Sequence, residues 1–250
     1  MIPRIKYPYS WVGHIPFTFF LVDFFKPKLI VELGTHTGNS FLAFSEAAKH
    51  FSPSSKVYGI DLWQGDEHAG YYEENVFFEL EKHVFENYKN QSFLVRKDFN
   101  VAVSDFEDGS IDLLHIDGLH SYEAVKNDFE TWKSKLSDEA IVIFHDIRVF
   151  NYDFGVFKYW EEISTKYKFI YEFDHSNGLG ICAISENTRN HEFFTILNIR
   201  SLRYIFESYG NSILRDIRIV NRLNHFENSY YIRIKKMIKK VWFFLKGSKN

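Results

Sequence analysis

Short apolar runs alternate with helix-like segments along residues 28–184, and this alternation limits the fold more than any other feature. Each run is followed by glycine or polar residues and then by a stretch with apolar residues at helical spacing. A short continuous apolar run is typical of a strand buried on both faces, and strands that alternate with helices form a parallel sheet with right-handed crossovers. The pattern predicts five such strands, at residues 28–33, 56–61, 92–96, 111–117 and 140–144.

Two later runs, at residues 168–173 and 180–184, complete the predicted sheet. The segment between them is too short for a crossover helix, so we expect an antiparallel hairpin. The sequence therefore predicts an α/β fold with a mainly parallel seven-stranded sheet that ends in an antiparallel hairpin. Because no strand pattern follows Ser185, we divide the chain into a domain at residues 1–186 and a helical extension at residues 187–250.

The cysteine content and the apolar runs limit where the chain can work. Cys182 is the one cysteine among 250 residues, which excludes an internal disulfide and a zinc site built on cysteines and is typical of a reducing compartment. The most apolar run, residues 15–25, is about half as long as a membrane-spanning helix and contains Asp23. The N-terminal residues do not follow the pattern of a signal peptide. We therefore expect a cytoplasmic protein.

The net charge of −3 hides an asymmetry between the two parts of the chain. From Ser201 onward there are 11 Lys and Arg against 3 Asp and Glu, whereas residues 1–200 have 19 against 30. The acidic body argues against nucleic acid as a partner, and the basic tail favours an anionic partner or surface.

The tail also has apolar residues at helical spacing, so the sequence predicts a basic amphipathic helix. Its apolar stripe comprises Ile213, Ile217, Val220, Ile234, Ile238, Val241 and Leu245. The cations set against that stripe are Arg233, Lys235, Lys236, Lys239 and Lys240. Two interpretations stay open. Either the helix packs on the body or on a partner, a second copy of the chain included, or it lies on an anionic membrane surface, where each cation contributes about 1 kcal/mol.

Glycines and polar residues follow the first predicted strand, in the order Glu32, Gly34, Thr35, Gly38 and Ser40. Glycine lets a backbone turn sharply and approach a ligand, and the N-terminus of the next helix offers N–H groups to an anion. A carboxylate at Glu32 suits a cationic amine. The methionyl end of S-adenosylmethionine carries both charges and fits this segment, although a plain strand–helix turn is the alternative. A dinucleotide is disfavoured because His36 interrupts the Gly-x-Gly-x-x-Gly spacing.

Residues after the second and third strands are further candidates for cofactor binding. Asp61 ends the second strand, where a carboxylate accepts hydrogen bonds from the ribose hydroxyls of NAD or S-adenosylmethionine. Trp63 is placed to stack on adenine, but a tryptophan there is as often part of the core. Asp98 follows the third strand and is a candidate for the adenine side.

Acids and histidines follow the fourth and fifth strands, at Asp117, His120, His145 and Asp146. Because sequential parallel strands are usually neighbours, we expect Asp117 and Asp146 to meet at one edge of the sheet. Adjacent carboxylates repel unless a proton or a cation joins them, and a divalent ion would also lower the pKa of a bound hydroxyl. His120 titrates in the range needed to accept the proton of that hydroxyl. The alternative is structural, with Asp146 as a helix cap and His120 as a hydrogen-bonded histidine.

Five sequence blocks stand in order between residues 10 and 185. They are residues 11–16 (WVGHIP), 31–38 (VELGTHTG), 65–70 (GDEHAG), 111–123 (IDLLHIDGLHSYE) and 144–146 (FHD). Together these blocks resemble bacterial class I S-adenosylmethionine-dependent methyltransferases, in the branch often encoded beside or fused to glycosyltransferases of surface-polysaccharide synthesis. The resemblance implies a Rossmann-like fold and methyl transfer to a sugar hydroxyl of a surface glycan or its precursor. The tail beyond Ser185 has no counterpart in that family.

Metal-dependent sugar O-methyltransferases of antibiotic pathways are similar to the chain around the same strand ends. In those enzymes an acid that matches Asp117 and an acidic pair after the fifth strand bind magnesium, and a histidine that matches His120 is the base. His145 takes the place of the first acid of that pair, so the implied metal ligands are Asp117, His145 and Asp146, with manganese as the alternative to magnesium. The loop at residues 66–68 is expected to form a lid over the cofactor or the acceptor.

Two other functions stay open from the sequence. In the first, the domain is a non-catalytic module that binds S-adenosylmethionine or no ligand, while its tail recruits a glycosyltransferase to the membrane. In the second, it is an oxidoreductase or hydroxylase with a redox metal beside His145 and Asp146. Calorimetry with S-adenosylhomocysteine tests the first against a methyltransferase, which we expect to bind it with about micromolar affinity. The lack of a Gly-x-Gly-x-x-Gly loop argues against nicotinamide in the second.

Overall fold

The computed structural model describes residues 3–68, 70, 71, 73–151 and 153–247, with side chains described as far as residue 225. The helices and strands, in chain order, are α1 (Ile15–Phe25), β1 (Leu29–Leu33), α2 (Asn39–Phe51), β2 (Lys56–Asp61), β3 (Gly65–Asp66), β4 (Gly70–Tyr71), α3 (Asn75–Tyr88), β5 (Ser92–Arg96), α4 (Phe99–Ala102), β6 (Ile111–Ile116), α5 (Tyr122–Trp132), β7 (Leu136–His145), α6 (Val156–Lys166), β8 (Ile170–Phe173), β9 (Leu179–Ala183), α7 (Thr188–Leu197) and α8 (Arg200–Gly247).

The main sheet has seven strands in the order β5-β2-β1-β6-β7-β9-β8. Neighbouring strands from β5 to β7 are parallel, and β9 is antiparallel to both β7 and β8. The predicted mainly parallel sheet with its terminal antiparallel hairpin is therefore confirmed. The strand order reverses between β1 and β6, and α/β sheets bind ligands at the carboxyl ends of the strands at such a point.

The most apolar run of the sequence is α1, a core helix. Its Phe17 and Leu21 are almost fully buried, and the helix packs against α2 beside the sheet. Full burial of such side chains contributes about 1.5–3 kcal/mol each to stability. The apolar composition of residues 15–25 is therefore explained by the packing of α1 in the core.

Two local features differ from the expected strand pattern. β7 begins at Leu136 rather than at residue 140, because its first residues are at an exposed end where polar side chains are tolerated. A second, two-stranded antiparallel sheet joins β3 to β4. Strands of two residues have no periodicity, so these two strands were not predicted.

The C-terminal region is helical, as predicted, and no strand follows β9 among the described residues. The chain forms one compact unit as far as Gly210 and a second unit from Asn211 onward. The domain boundary between residues 186 and 187 stays a prediction, and the cations at residues 233–240 lie outside the described side chains. Within the described part of the chain, no helix has both the length and the hydropathy that a membrane crossing needs.

Candidate active site

A cavity of about 670 Å³ opens at the carboxyl ends of β1, β2, β6 and β7. Its volume lies within the usual range of small-molecule sites, about 300–1,000 Å³. The wall includes the β1–α2 loop, the β3–β4 hairpin and an N-terminal segment at residues 7–11. The residues predicted from the sequence that line this cavity are Gly34, Thr35, Ser40, Asp61, Asp98, Asp117, His120 and Asp146.

Two glycines shape the loop between β1 and α2. Gly34 has φ +91°, and a Cβ atom there would lie 2.1 Å from the carbonyl oxygen of Asp117, so a side chain would push this loop away from the end of β6. Gly38 has φ +85°, and a Cβ atom there would meet Leu80 instead of the cavity. Gly34 therefore brings the loop close to the acidic end of β6, whereas Gly38 lies outside the cavity lining.

The Asp61 carboxylate holds the β1–α2 loop in place. Its Oδ2 accepts hydrogen bonds from the N–H groups of Thr35 and His36, at 3.0 and 2.8 Å, and its Oδ1 accepts one from the N–H of Trp63 at 2.7 Å. A carboxylate has about four acceptor positions, so Asp61 retains capacity for a ribose hydroxyl on its cavity side. A role of Asp61 in holding this loop was not predicted.

Trp63 and Asp98 differ in their access to the cavity. The Trp63 side chain is 1% exposed, and its indole N–H donates to the carbonyl of His36 at 2.9 Å. Trp63 therefore belongs to the core, which was the alternative given for it, and its stacking on adenine stays a prediction. Asp98 lines the cavity and also accepts a hydrogen bond from the Asn100 N–H at 2.8 Å, at the start of α4.

Glu32 belongs to a buried chain of hydrogen bonds. The Trp11 indole N–H donates to Nε2 of His115 at 3.1 Å, so the proton of this ring lies on Nδ1, which faces Oε1 of Glu32 at 2.9 Å. Glu32 and His115 are fully buried, and Oε2 of Glu32 has no hydrogen-bond partner among the described residues. Trp11 lines the cavity, but Glu32 does not, and its contact with a donor amine stays a prediction.

The structure brings Asp117, His120 and Asp146 together at the ends of the neighbouring strands β6 and β7. Nε2 of His120 lies 2.8 Å from Oδ2 of Asp146 and 3.6 Å from Oδ1 of Asp117. One potential metal-ligand atom of each residue lies within 4.8 Å of those of the other two. Asp146 has φ +62°, an uncommon conformation for a residue with a side chain and one often found at functional sites.

His145 lies outside the cavity lining and contacts both carboxylates. Its Nε2 donates to the carbonyl of Ser176 at 3.0 Å, and its Nδ1 lies 3.1 Å from Oδ1 of Asp117 and 3.4 Å from Oδ1 of Asp146. Three acceptor oxygens therefore face the ring of His145, and both of its nitrogens act as donors. His120, not His145, completes the group of candidate ligands with the two carboxylates, and a ligand role for His145 stays a prediction.

The charges of these four residues balance one another. Burial raises the pKa of Asp117, but His145 and His120 outweigh this effect and hold the pKa at about 2. Burial lowers the pKa of His120, but its contacts with Asp117 and Asp146 outweigh it and raise the pKa to about 9. His145 and His120 lower the pKa of Asp146, and Asp146 and Asp117 raise the pKa of His145, in each case against the effect of burial. Protons on the two histidines thus neutralise the two carboxylates.

The residues of the cluster fit a divalent cation. The oxygens of the two carboxylates suit Mg²⁺ and Mn²⁺, and a cation held by these oxygens alone leaves Nε2 of His120 able to accept a proton. Oδ1 of Asp146 is buried and has no hydrogen-bond partner among the described residues. A cation at Asp117 and Asp146 would replace positive charge that the histidine protons provide, so metal binding and protonation compete.

Residues of two other segments, which sequence reasoning did not assign to the site, complete the surroundings of His120. The ring of Phe154 stacks on the His120 ring, with centroids 4.8 Å apart and planes 12° apart. The N–H of Gly155 donates to the carbonyl of His120 at 2.8 Å, and the His120 N–H donates to Nδ1 of His68 at 3.3 Å. Two sequence signals pointed to these contacts: His68 lies in the block at residues 65–70, and residues 153–156 (DFGV) also resemble the same family.

Comparison with known proteins agrees with this arrangement. Residues 31–147 match the family model Methyltransf_24, described as a methyltransferase domain. An uncharacterized protein of Sinorhizobium fredii, y4gI, is 42% identical over 180 residues, which is 72% of this chain and 20% of that protein. The chain therefore spans about a fifth of the length of this relative.

Solved structures with the same fold include two methyltransferases of distant sequence. The calicheamicin methyltransferase CalS11 is 15% identical with a TM-score of 0.57, over 73% of this chain and 81% of that one. An O-methyltransferase from Bacillus cereus, in complex with S-adenosylhomocysteine, is 11% identical with a TM-score of 0.53, over 73% and 83%. The sheet order and the cavity at its switch point agree with these matches: residues 31–147 match a methyltransferase domain, and the chain has the Rossmann-like fold of class I methyltransferases.

Proposed function

We propose that this protein transfers a methyl group from S-adenosylmethionine to a sugar hydroxyl of a surface glycan or its precursor, with the assistance of a divalent cation. The observation that carries the proposal is the convergence of Asp117, His120 and Asp146 in the wall of the cavity. Such a group can hold a hydroxyl and take its proton, which methyl transfer to oxygen requires.

The residues of the β1–α2 loop and the following strand ends would hold the donor. Thr35 and Ser40 line the cavity beside the N-terminus of α2, which attracts the donor carboxylate. Asp61 and Asp98 would bind the ribose and adenine ends. A donor held by these residues would present its sulfonium methyl group to the ends of β6 and β7, where Asp117, His120 and Asp146 would hold the acceptor hydroxyl.

The transfer is an in-line displacement at the methyl carbon. The acceptor oxygen forms a bond to this carbon while the bond from carbon to sulfur breaks, and the electron pair of that bond stays on the sulfur of S-adenosylhomocysteine. The proton of the hydroxyl passes to Nε2 of His120, the ring nitrogen that faces both carboxylates. A bound divalent cation supplies positive charge at Asp117 and Asp146 that lowers the pKa of the hydroxyl.

A sugar acceptor is supported by polar side chains in the wall of the cavity. Outside the donor residues, the lining includes the polar side chains of Asp66, Asn151 and Asn177. Hydroxyl groups of a glycan need such donors and acceptors, and the ring of Tyr71 offers an apolar face for the sugar ring. Oxygen as the target atom is supported by the name of the similar O-methyltransferase, and a glycan by the sequence blocks described above.

Deletion of the gene tests this function directly. We expect mass spectrometry of the surface glycan from the deletion strain to show the loss of one methyl group per modified sugar. The wild-type gene should restore the methyl group, whereas a gene that encodes His120→Gln should not. Unchanged glycan methylation in the deletion strain would contradict the proposed acceptor.

The basic tail would bring the cytoplasmic enzyme to the inner face of the membrane, where lipid-linked glycans and glycosyltransferases are located. In the described part of the tail, Ile219, Val220 and Leu223 are all about half exposed, and Arg218 and Arg222 are exposed too. Positive charge beside exposed apolar side chains is the composition that an anionic lipid surface binds.

Vesicle sedimentation measures this interaction. We expect the chain to sediment with vesicles that contain phosphatidylglycerol and not with phosphatidylcholine vesicles. Changing four lysines of the tail to glutamine should weaken the affinity roughly 10²- to 10³-fold, since each cation contributes about 1 kcal/mol. These lysines are Lys235, Lys236, Lys239 and Lys240. The matched control changes four exposed lysines of the body, Lys49, Lys82, Lys89 and Lys97, and equal losses in both variants would contradict a role of the tail.

A further inference from the structure

His68 connects the β3–β4 hairpin to two other segments. Its Nδ1 accepts a hydrogen bond from the backbone N–H of His120 at 3.3 Å, and its Nε2 lies 2.9 Å from Oδ2 of Asp153. The His68 side chain is only 3% exposed, whereas that of Asp153 is 62% exposed. The histidine therefore spans from the surface to the residue that faces both carboxylates of the site.

The partners of His68 fix its tautomer and exclude it as a base. Since Nδ1 accepts from a backbone N–H, the ring proton lies on Nε2, which donates to the Asp153 carboxylate. Both ring nitrogens are thus engaged by the protein. His68 has no free nitrogen for the proton of an acceptor, although it lines the same cavity as His120.

The same contacts restrain His120 from several directions. Phe154 lies beside both histidines, with its ring centroid 4.8 Å from that of His120 and 4.7 Å from that of His68. Gly155 binds the carbonyl of His120, so both backbone groups of this residue are held by other segments. A Cβ atom at Gly155 would lie 2.3 Å from the backbone nitrogen of Tyr122, which leaves this segment little room to move.

We propose that His68 is a positioning residue, which holds His120 against Phe154 and closes the β3–β4 hairpin over the cavity through Asp153. The proposal rests on the proposed function in that His120 is the proton acceptor. The hairpin and the segment at residues 153–155 are far apart in sequence, and His68 joins them at the backbone of His120. The position of the hairpin over the cavity and the position of His120 are therefore coupled through His68.

Three substitutions at position 68 separate the two hydrogen bonds. In His68→Asn, the side-chain oxygen keeps an acceptor at the place of Nδ1, whereas His68→Gln keeps a donor near Nε2 and His68→Leu removes both. We expect Leu and Gln to lower kcat about 10- to 100-fold, because small displacements of a reacting group have effects of this size. We expect Asn to retain kcat within about three-fold, since the His120 N–H keeps its partner, and to raise KM for the acceptor. KM for S-adenosylmethionine should not change.

Hydrogen exchange at the His120 amide tests the contact without methyl transfer. With S-adenosylhomocysteine bound, exchange should become at least about ten-fold faster in the Leu and Gln variants and stay near the wild-type rate in the Asn variant. If wild-type protein transfers no methyl group, the proposed function fails, and these exchange rates still decide whether His68 holds His120.

The controls separate positioning from general loss of structure. His50→Leu changes a histidine on α2 that pairs with Glu46 at 2.9 Å, outside the cavity lining, and should leave kcat and the His120 exchange rate unchanged. Asp153→Ala removes the outer contact while it keeps His68, and it should raise KM for the acceptor even if the variants at position 68 do not fold. Wild-type kcat in His68→Leu, or an equal loss of kcat in His68→Asn, would overturn the proposal.

Discussion

A His120→Gln variant is expected to lose about 10²- to 10⁴-fold in kcat and to bind S-adenosylhomocysteine with wild-type affinity. Nε2 of His120 faces Asp117 and Asp146, where the acceptor hydroxyl would be held, and glutamine offers no nitrogen that accepts a proton at neutral pH. In the proposed function the donor would be held by the β1–α2 loop and by Asp61, which the substitution does not touch. The loss should therefore lie in the chemical step and not in donor binding.

Single-turnover rates and calorimetry with S-adenosylhomocysteine measure these two effects separately. His50→Gln is the matched control, since the same substitution on α2 removes a contact with Glu46 and not with the cavity. Turnover of His120→Gln within about three-fold of wild type would show that proton transfer to this residue is not part of the reaction.

The meeting of Asp117 and Asp146 was predictable from the sequence because it depends on strand order. The apolar runs that precede these acids fix them at the carboxyl ends of β6 and β7, and sequential parallel strands usually pair. The same reasoning placed Asp61 at the cavity. In each case the backbone of the sheet determines where the residue lies, so its place at the edge of the sheet does not depend on loop structure.

The surroundings of His120 were not predictable because they depend on loops. His68 and Asp153 are 85 residues apart, and no periodic pattern connects a two-residue strand to a turn after β7. Burial separates two other candidates from the cavity lining. Trp63 and Glu32 stand at the expected strand ends, but each turns into the protein, toward the carbonyl of His36 and toward His115. The position of a residue in the sequence predicts that it lies at a strand end. It does not predict whether its side chain faces the core or the cavity.

An Asp117→Asn variant is expected to lose at least about 10²-fold in kcat/KM and to lose any response to chelators. The amide removes one of the two charges that would hold a divalent cation. The same change should move the pH profile. Asp117 and Asp146 raise the pKa of His120 to about 9, so without a cation this histidine is protonated at pH 7 and cannot accept a proton. Removal of one carboxylate lowers that pKa.

Activity against pH, measured with and without a chelator, distinguishes the cation from the proton as the partner of these carboxylates. In wild-type protein, chelation should shift the rising limb of the profile toward pH 9, the pKa of His120 without a cation, whereas in Asp117→Asn the limb should lie lower and not respond. Asp112→Asn is the matched control at the opposite end of β6, where the carboxylate accepts hydrogen bonds from Lys28, Leu29 and Ser137. That variant should lose stability and keep the chelator response. If chelators do not change wild-type activity at any pH, the proposed cation is contradicted. The histidine protons alone would then neutralise Asp117 and Asp146.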